Sequence, residues 1–474
     1  MTEILHPDLC VIGAGSGGLS IAAGASQMGA SVVLVERAKM GGDCLNFGCV
    51  PSKALIAAGR MAQAFRSAPR FGISVGEPRV DFAAVHRHVH GVIAAIAPND
   101  SVERFTGLGV RVVRASARFT APGEVEAGAI TIRARRFVIA TGSSPFVPPI
   151  PGLDRVPFLT NETIFDLTAC PGHLIVIGGG PIGCELAQAH RRLGARVSVV
   201  EMASIMPKDD PELVDVVRAR LLAEDVAVIE GAKVLRVEHQ GGGLGVIFER
   251  NGAERRIEGT HILVAVGRRA NLKDLNLDAA GIAHGPAGIA VDGRLRSTNA
   301  RVYAAGDAAG GLQFTHMAGH HAGIVLRNVL FRLGAKVETR AVPWVTFTDP
   351  ELAQVGIGEA EARRRKLDFR LLRWPFHDND RAQTERETEG FIKIVVSRSG
   401  RVLGAAMVGP RAGELSMPWV IAVQENLKIG VLAKAIAPYP TFSEAAKRAA
   451  GSFFAASLFS ERTRRIVRLL QRLG

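Results

Sequence analysis

Short apolar blocks alternate with glycine-rich turns near the start of the chain, and the same pattern recurs further along. Residues 8–12 (Asp-Leu-Cys-Val-Ile) predict a buried strand, the small residues after 13–18 a helix, and residues 31–35 a second strand ending at Glu36. No charged residue lies between Leu9 and Val35, a run long enough to suggest a membrane span. Glycines interrupt it and Glu36 ends it, so strand, turn and buried helix are predicted instead. No basic segment of signal-peptide type precedes it, so a cytoplasmic protein is expected. Residues 174–177 and 196–200, the latter ending at Glu201, repeat the unit. Later, residues 359–366 read as a solvated helix face and residues 453–473 as an amphipathic basic helix.

Each apolar strand of the repeat runs into a glycine fingerprint. The first is Gly13-Ala14-Gly15-Ser16-Gly17-Gly18 and the second is Gly178-Gly179-Gly180-Pro181-Ile182-Gly183. The first glycine (Gly13, Gly178) allows a tight turn, and the second (Gly15, Gly180) lets backbone approach a pyrophosphate. The third (Gly18, Gly183) allows close helix–strand packing. Amides at the helix N-terminus hold the anion, and an acid after the second strand accepts from a ribose hydroxyl. In both copies that acid lies 23 residues after the first glycine, from 13 to 36 and from 178 to 201. Two dinucleotides are therefore expected. A carboxylate at Glu201 repels a 2′-phosphate, which predicts NAD(H) over NADP(H) at the second site.

Between the copies lies Gly41-Gly42-Asp43-Cys44-Leu45-Asn46-Phe47-Gly48-Cys49-Val50-Pro51-Ser52-Lys53. Cys44 and Cys49 are close enough in sequence to form a small disulfide ring, and Pro51 suits the first position of a helix. A thiol at a helix N-terminus with Lys53 nearby is expected to have a lowered pKa, as a redox dithiol requires. Two buried structural cysteines would also fit the spacing. The remaining Cys10, Cys170 and Cys184 lie in apolar surroundings and read as core residues.

A chain of 474 residues, 47% hydrophobic and rich in glycine, suggests about three α/β domains. Five cysteines, an odd number, argue against a secreted disulfide framework. The net charge of +13 is compatible with nucleic acid or a membrane surface, but the arginines are scattered and aromatics make up only 5% of residues. Base-stacking platforms are not expected, and attraction to anionic cofactors is the simpler reading. His316/His320 and His86/His90 have helical i,i+4 spacing, but no third ligand completes either pair, so no metal site is expected.

Two fingerprints with a Gly-Gly-x-Cys-x4-Cys-x2-Ser-Lys element after the first resemble the class I pyridine nucleotide–disulfide oxidoreductase family over nearly the whole chain. Ala140-Thr141-Gly142, Ala265-Val266-Gly267-Arg268 and Tyr303-Ala304-Ala305-Gly306-Asp307 follow in the family's order. The resemblance implies an α/β fold with two Rossmann-like dinucleotide-binding domains, for FAD and NAD, and a C-terminal α+β dimerisation domain. The implied boundaries are 1–150 (FAD, with the dithiol), 151–270 (NAD), 271–340 (central) and 341–474 (dimerisation). It further implies FAD contacts at Gly42, Lys53, Ala117, Thr141, Gly142, Asp307 and Thr315 besides the first fingerprint and Glu36. Val234 and Gly267 would join the second fingerprint and Glu201 at the NAD site. Asp307 would bind the ribityl chain, and Glu185 would pair with Lys53 beside the flavin. Electrons would pass from NADH through flavin to the Cys44–Cys49 disulfide, with Cys49 facing the flavin and Cys44 exchanging with an outside substrate. His316 would pack near the flavin.

In disulfide-reducing relatives a partner subunit supplies His-Pro-Thr-x-x-Glu, whose histidine is the acid/base. This chain reads Tyr439-Pro440-Thr441-Phe442-Ser443-Glu444. Tyrosine, with a pKa near ~10, is a poor resident base, and Glu444 is left to orient the tyrosine or a water. Tyrosine at this position leans toward the mercuric reductase branch. Glu201, the tail at 469–474 without a cysteine pair, and the lack of an N-terminal metal-carrier domain lean toward the dihydrolipoamide dehydrogenase branch. The expected function is a homodimeric, FAD-dependent exchange of electrons between NAD(H) and a thiol/disulfide substrate, dihydrolipoamide dehydrogenase-like. Mercuric reductase-like reduction of a soft, thiol-bound metal ion is the alternative, and a flavin redox sensor is the non-enzymatic one. The active site would be shared between subunits, with no nucleic-acid partner. The basic tail is expected to pack on the dimerisation domain rather than on a membrane.

Overall fold

The computed structural model describes residues 3–240 and 243–472. The chain forms two compact units, Met1–Met202 with Gly231–Glu338, and Ala203–Glu230 with Thr339–Gly474.

In the first unit, strand β1 (Leu9–Ile12), helix α1 (Ser16–Gln27) and strand β2 (Val32–Val35) take up the charge-free run. The long helix α2 (Cys49–Ser67) follows, then β3 (Val110–Val113) and β4 (Arg136–Ile139). Next come β5 (His173–Ile177), α3 (Pro181–Arg192) and β6 (Arg196–Val200), then β7 (His261–Val264), β8 (Val302–Ala304) and α4 (Thr315–Leu330). A five-stranded parallel sheet has the order β8-β4-β1-β2-β3. Its strands are largely apolar because both faces are covered. Leu9, Val11, Leu34 and Val138 pack with residues of α1 and α4. Cys10, Ile12, Val33, Val35, Phe137 and Ile139 pack against Phe119, Val125 and Ile132 from a smaller sheet. The repeat forms its own parallel core, with β5 paired to β6 and β7.

In the second unit, β9 (Pro343–Thr346), β10 (Glu351–Gly356), β11 (Phe369–Pro375), β12 (Phe391–Ser397) and β13 (Val402–Gly409) form an antiparallel sheet ordered β9-β10-β13-β12-β11. Helix α5 (Glu444–Leu458) buries Ala445, Ala446, Ala449 and Ala450 in the core of this sheet. Helix α6 (Glu461–Leu470) follows, capped by the Ser460 side chain.

Four sequence expectations change. Helix α2 starts at Cys49, two residues before Pro51, and proline is tolerated there because first-turn amides have no intrahelical acceptor. Cys170 is half-buried rather than core, while Cys10 and Cys184 are fully buried. The segment 359–366 is not wholly solvated, because Glu359 turns inward to Lys393, 2.6 Å away. The tail is two helices, and only α5 packs on the sheet; α6 buries none of its residues. The tail's last predicted position, Leu473, lies outside the described residues.

Candidate active site

Both fingerprints show the same division of labour among their glycines. Gly13 and Gly178 have φ of +105° and +111°, where a side chain is strained, and a Cβ would sit 2.4 and 2.5 Å from the carbonyls of Ala140 and Ala265. At Gly18 and Gly183 a Cβ would lie 1.8 and 2.0 Å from the oxygens of Gly13 and Gly178, so packing within the protein excludes one. The middle glycines differ. A Cβ at Gly180 meets nothing within 4 Å, and at Gly15 only the Gly42 Cα at 3.9 Å. No protein atom explains their lack of a side chain, whereas a phosphate lying against the backbone would. Gly142 and Gly267, in the loops after β4 and β7, also have positive φ with open space at Cβ. The residues present therefore fit two dinucleotides.

The acids at the strand ends brace these loops. Glu36 Oε2 accepts from the Ala14 amide at 2.6 Å, and Glu201 Oε2 accepts from the Gly179 amide at 2.7 Å, the same step after the first glycine in each copy. A carboxylate has further acceptor sites, so holding the loop does not exclude a ribose hydroxyl.

Cys44 and Cys49 stand as free thiols, the reduced state of the expected redox pair. Cys44 lies in a short helix (Gly42–Asn46), and Cys49 is the first residue of α2. Gly42 has φ +59°, and a Cβ there would fall 2.7 Å from the Gly15 Cα, so the dithiol loop rests directly on the fingerprint. A hydrogen bond from the Cys44 thiol lowers the Cys49 pKa to about 6, with help from Thr315 and the charge of Lys53. The same bond, with burial, pushes Cys44 upward, since its proton is held against Cys49. Thr315, the first residue of α4, places Oγ1 3.4 Å from Cys49 Sγ.

Lys53 Nζ lies 2.8 Å from Glu185 Oε2, joining α2 to α3. The helices approach closely because Gly59 on α2 faces Ala189 on α3, where a Cβ would lie 3.3 Å from the Ala189 oxygen. Arg66 Nη1 donates to the Arg192 carbonyl at 2.8 Å further along the same seam.

Asp307 accepts from Ser143 Oγ at 2.5 Å, and burial raises its pKa. Arg268 donates to Ser143 Oγ at 2.8 Å and lies 2.9 Å from Asp43 Oδ1, which also accepts from Asn161 at 3.2 Å. The role of Arg268 was missed from sequence. It closes the Ala265–Arg268 motif, but nothing local reveals its acidic partner 225 residues earlier (268 − 43). Thr141 and Gly142 are tied to Asn271, through Thr141 Oγ1 to the Asn271 carbonyl at 2.8 Å and the Asn271 amide to the Gly142 carbonyl at 2.9 Å. Ala117 is buried in the core beside Phe119, and Val234 sits half-buried at a bulge in a separate antiparallel sheet.

Tyr439 belongs to the second unit and follows a different pattern from that expected. Its hydroxyl donates to Asp380 Oδ2 at 2.9 Å, and that bond to the carboxylate raises the phenol's pKa. Glu444 does not orient it: its carboxylate accepts from Arg448, 3.0 Å away and one turn along α5. The Tyr439–Pro440 bond is cis. His316 is exposed and stacks on Phe314, and no cluster of three metal-ligating residues occurs among the described residues.

Comparison with known proteins agrees with this geometry. Residues 7–322 match the pyridine nucleotide-disulphide oxidoreductase family, and residues 342–450 match its dimerisation domain. A mercuric reductase from Bacillus cereus is 35% identical over 449 residues, covering 94% of this chain and 71% of the relative. A dihydrolipoyl dehydrogenase from Thermus scotoductus is 35% identical over 455 residues, covering 94% and 96%. Among solved structures, LpdA from Mycobacterium tuberculosis superposes with a TM-score of 0.87 at 28% identity, covering 95% of this chain and 100% of that one. The Cu(II) complex of the HOCl-induced flavoprotein disulfide reductase RclA from Escherichia coli gives 0.83 at 27%, covering 93% and 98%. The chain belongs to the class I pyridine nucleotide–disulfide oxidoreductases, flavoprotein enzymes that use FAD and a pyridine nucleotide.

Proposed function

We propose that this chain uses NADH to reduce a disulfide-type substrate through the Cys44–Cys49 pair. The observation that carries the reading is the asymmetry of the two thiols. Cys49, at the N-terminus of α2, is held as the thiolate by the Cys44 proton, Thr315 and Lys53. Cys44 keeps its proton against Cys49 and would exchange with the substrate once that proton is given up. Bound FAD would carry reducing equivalents between the nicotinamide and the disulfide. Lys53, held by Glu185, would place a cation beside that flavin, and Asp307, set by Ser143, would hold its ribityl chain. Glu201 supports a preference for NADH, since a 2′-phosphate would meet its carboxylate. Net turnover is NADH, a proton and an oxidised disulfide going to NAD⁺ and two thiols.

A second acceptor class, a soft metal ion bound through thiolates, is favoured by Tyr439. The position carries a phenol tied to Asp380 where a titrating imidazole would relay protons, and metal-ion reduction makes less demand on such a base. In either case Tyr439 would act from the partner subunit's dimerisation domain. An acceptor screen with NADH tests both readings, using lipoamide, glutathione disulfide, and mercuric and cupric ions. Turnover of a disulfide above that of the metals supports the first reading. Turnover of metal ions alone overturns it.

A further inference from the structure

Helix α6 (Glu461–Leu470) carries none of the candidate redox residues, and its side chains are left almost wholly uncovered. None of its residues is buried, and only Thr463 is even partly covered. Ile466, Val467, Leu469 and Leu470 are 47%, 46%, 59% and 59% exposed. At 100° per residue these four side chains share an arc of about 160°. Leu458 and Phe459, 58% and 71% exposed, extend the apolar surface toward the preceding helix. Arg464, Arg465 and Arg468 occupy the opposite side, and Arg462 falls within the apolar arc, between Leu469 and Ile466, where its long stem can reach the polar boundary. Glu461 is the sole acid of the helix and is shared by Arg464 and Arg468, 3.4 and 3.8 Å away. Arg462 and Arg465 make no ion pair among the described residues.

This combination of a narrow aliphatic face, an arginine-rich opposite face and low overall hydrophobicity is what an in-plane interfacial helix requires. It is too short and too charged to cross a bilayer, and no described helix is long and apolar enough to do so. Charge decides between the possible occupants. Packing of the aliphatic face of α6 on itself in a second copy would leave Arg464, Arg465 and Arg468 on the outer side with only Glu461 to offset them, so it gives their charge no partner. An anionic lipid surface complements both faces at once, since its acyl boundary takes the aliphatic side chains and its headgroups take the guanidinium groups. We propose that α6 docks the enzyme on anionic membrane surfaces. The assignment replaces the sequence-based preference for packing on the dimerisation domain, because this chain's own dimerisation domain leaves α6 uncovered.

The test is co-sedimentation of the FAD-loaded enzyme with phosphatidylglycerol–phosphatidylcholine vesicles against phosphatidylcholine vesicles. Partition onto the anionic vesicles is expected to be at least about tenfold greater, and to weaken as salt rises from about 0.1 to about 0.5 M. Because the whole chain is cationic, at +13, binding to anionic vesicles alone does not suffice. Ile466→Asp with Leu470→Asp, and separately Arg464→Gln with Arg465→Gln and Arg468→Gln, should each reduce partition about tenfold or more. Flavin content and NADH oxidation in solution should stay unchanged in both. The proposal is overturned if the wild type shows no preference for anionic vesicles, or if the double Asp variant binds them as well as the wild type. It is also overturned if that variant dissociates the oligomer in light scattering while the wild type ignores vesicles, which would make this face a contact between copies of the chain.

Discussion

Lys53 Nζ and Glu185 Oε2 lie 2.8 Å apart although 132 residues separate them in sequence. The side chain of Glu185 is 6% exposed and that of Lys53 36%, so the carboxylate is largely enclosed and the lysine side chain is partly exposed. Glu185→Gln removes the counter-charge but keeps the shape. Reduction of the disulfide by NADH in single turnover is expected to slow about tenfold, with Lys53→Met slowing it about a hundredfold. Equal rates in stopped-flow measurements would show that the pair is structural only.

Cys49 is held near pH 6, below an ordinary thiol, so in the reduced enzyme its thiolate should persist down to about that pH and be lost below it. Alkylation by iodoacetamide in a Cys44→Ala variant should titrate higher than in the wild type, because the change removes the hydrogen-bond donor that stabilises the Cys49 thiolate. In a Cys49→Ser variant, the thiolate–flavin charge-transfer band should disappear. Persistence of that band would reverse the assignment of the two thiols.

Arg268 offsets the charge of Asp43, which otherwise raises the Cys49 pKa, and it also holds Ser143 against Asp307. Arg268→Gln should therefore move thiolate formation to higher pH and weaken FAD retention together. Measured by pH-dependent alkylation and by flavin release on dilution, a change in one property without the other would separate the two contacts.

Glu201→Arg should shift the ratio of kcat/KM for NADH over NADPH toward NADPH, by about tenfold or more, as a cation replaces the carboxylate at the ribose. Glu201 also accepts from the Gly179 amide, so a loss of both nucleotides would point to collapse of the loop instead.

Asp380→Asn removes the acceptor that raises the Tyr439 pKa. The alkaline limb of any activity carried by this phenol should move to lower pH, since the ionised form is no longer opposed by a neighbouring carboxylate. Tyr439→His should raise turnover with lipoamide if a missing base limits it, and an unchanged rate would assign proton transfer to another group.

What the chain dictated locally was legible in its residues. Glycine spacing, apolar strands and the closing acids predict both nucleotide units, because these features act within a single turn or strand and depend on φ and side-chain period. The dithiol and its order relative to the fingerprints were equally plain. Tertiary structure alone decided which charges meet. Arg268 reaches Asp43, Thr315 reaches Cys49, and Tyr439 turns to Asp380 while Glu444 turns to Arg448. It also decided that α5 buries its alanine face on the sheet while α6 buries nothing, though both belong to one amphipathic-looking tail. The reason is physical. Periodicity states that a helix has an apolar face, but only the surrounding core decides whether anything in the chain covers it.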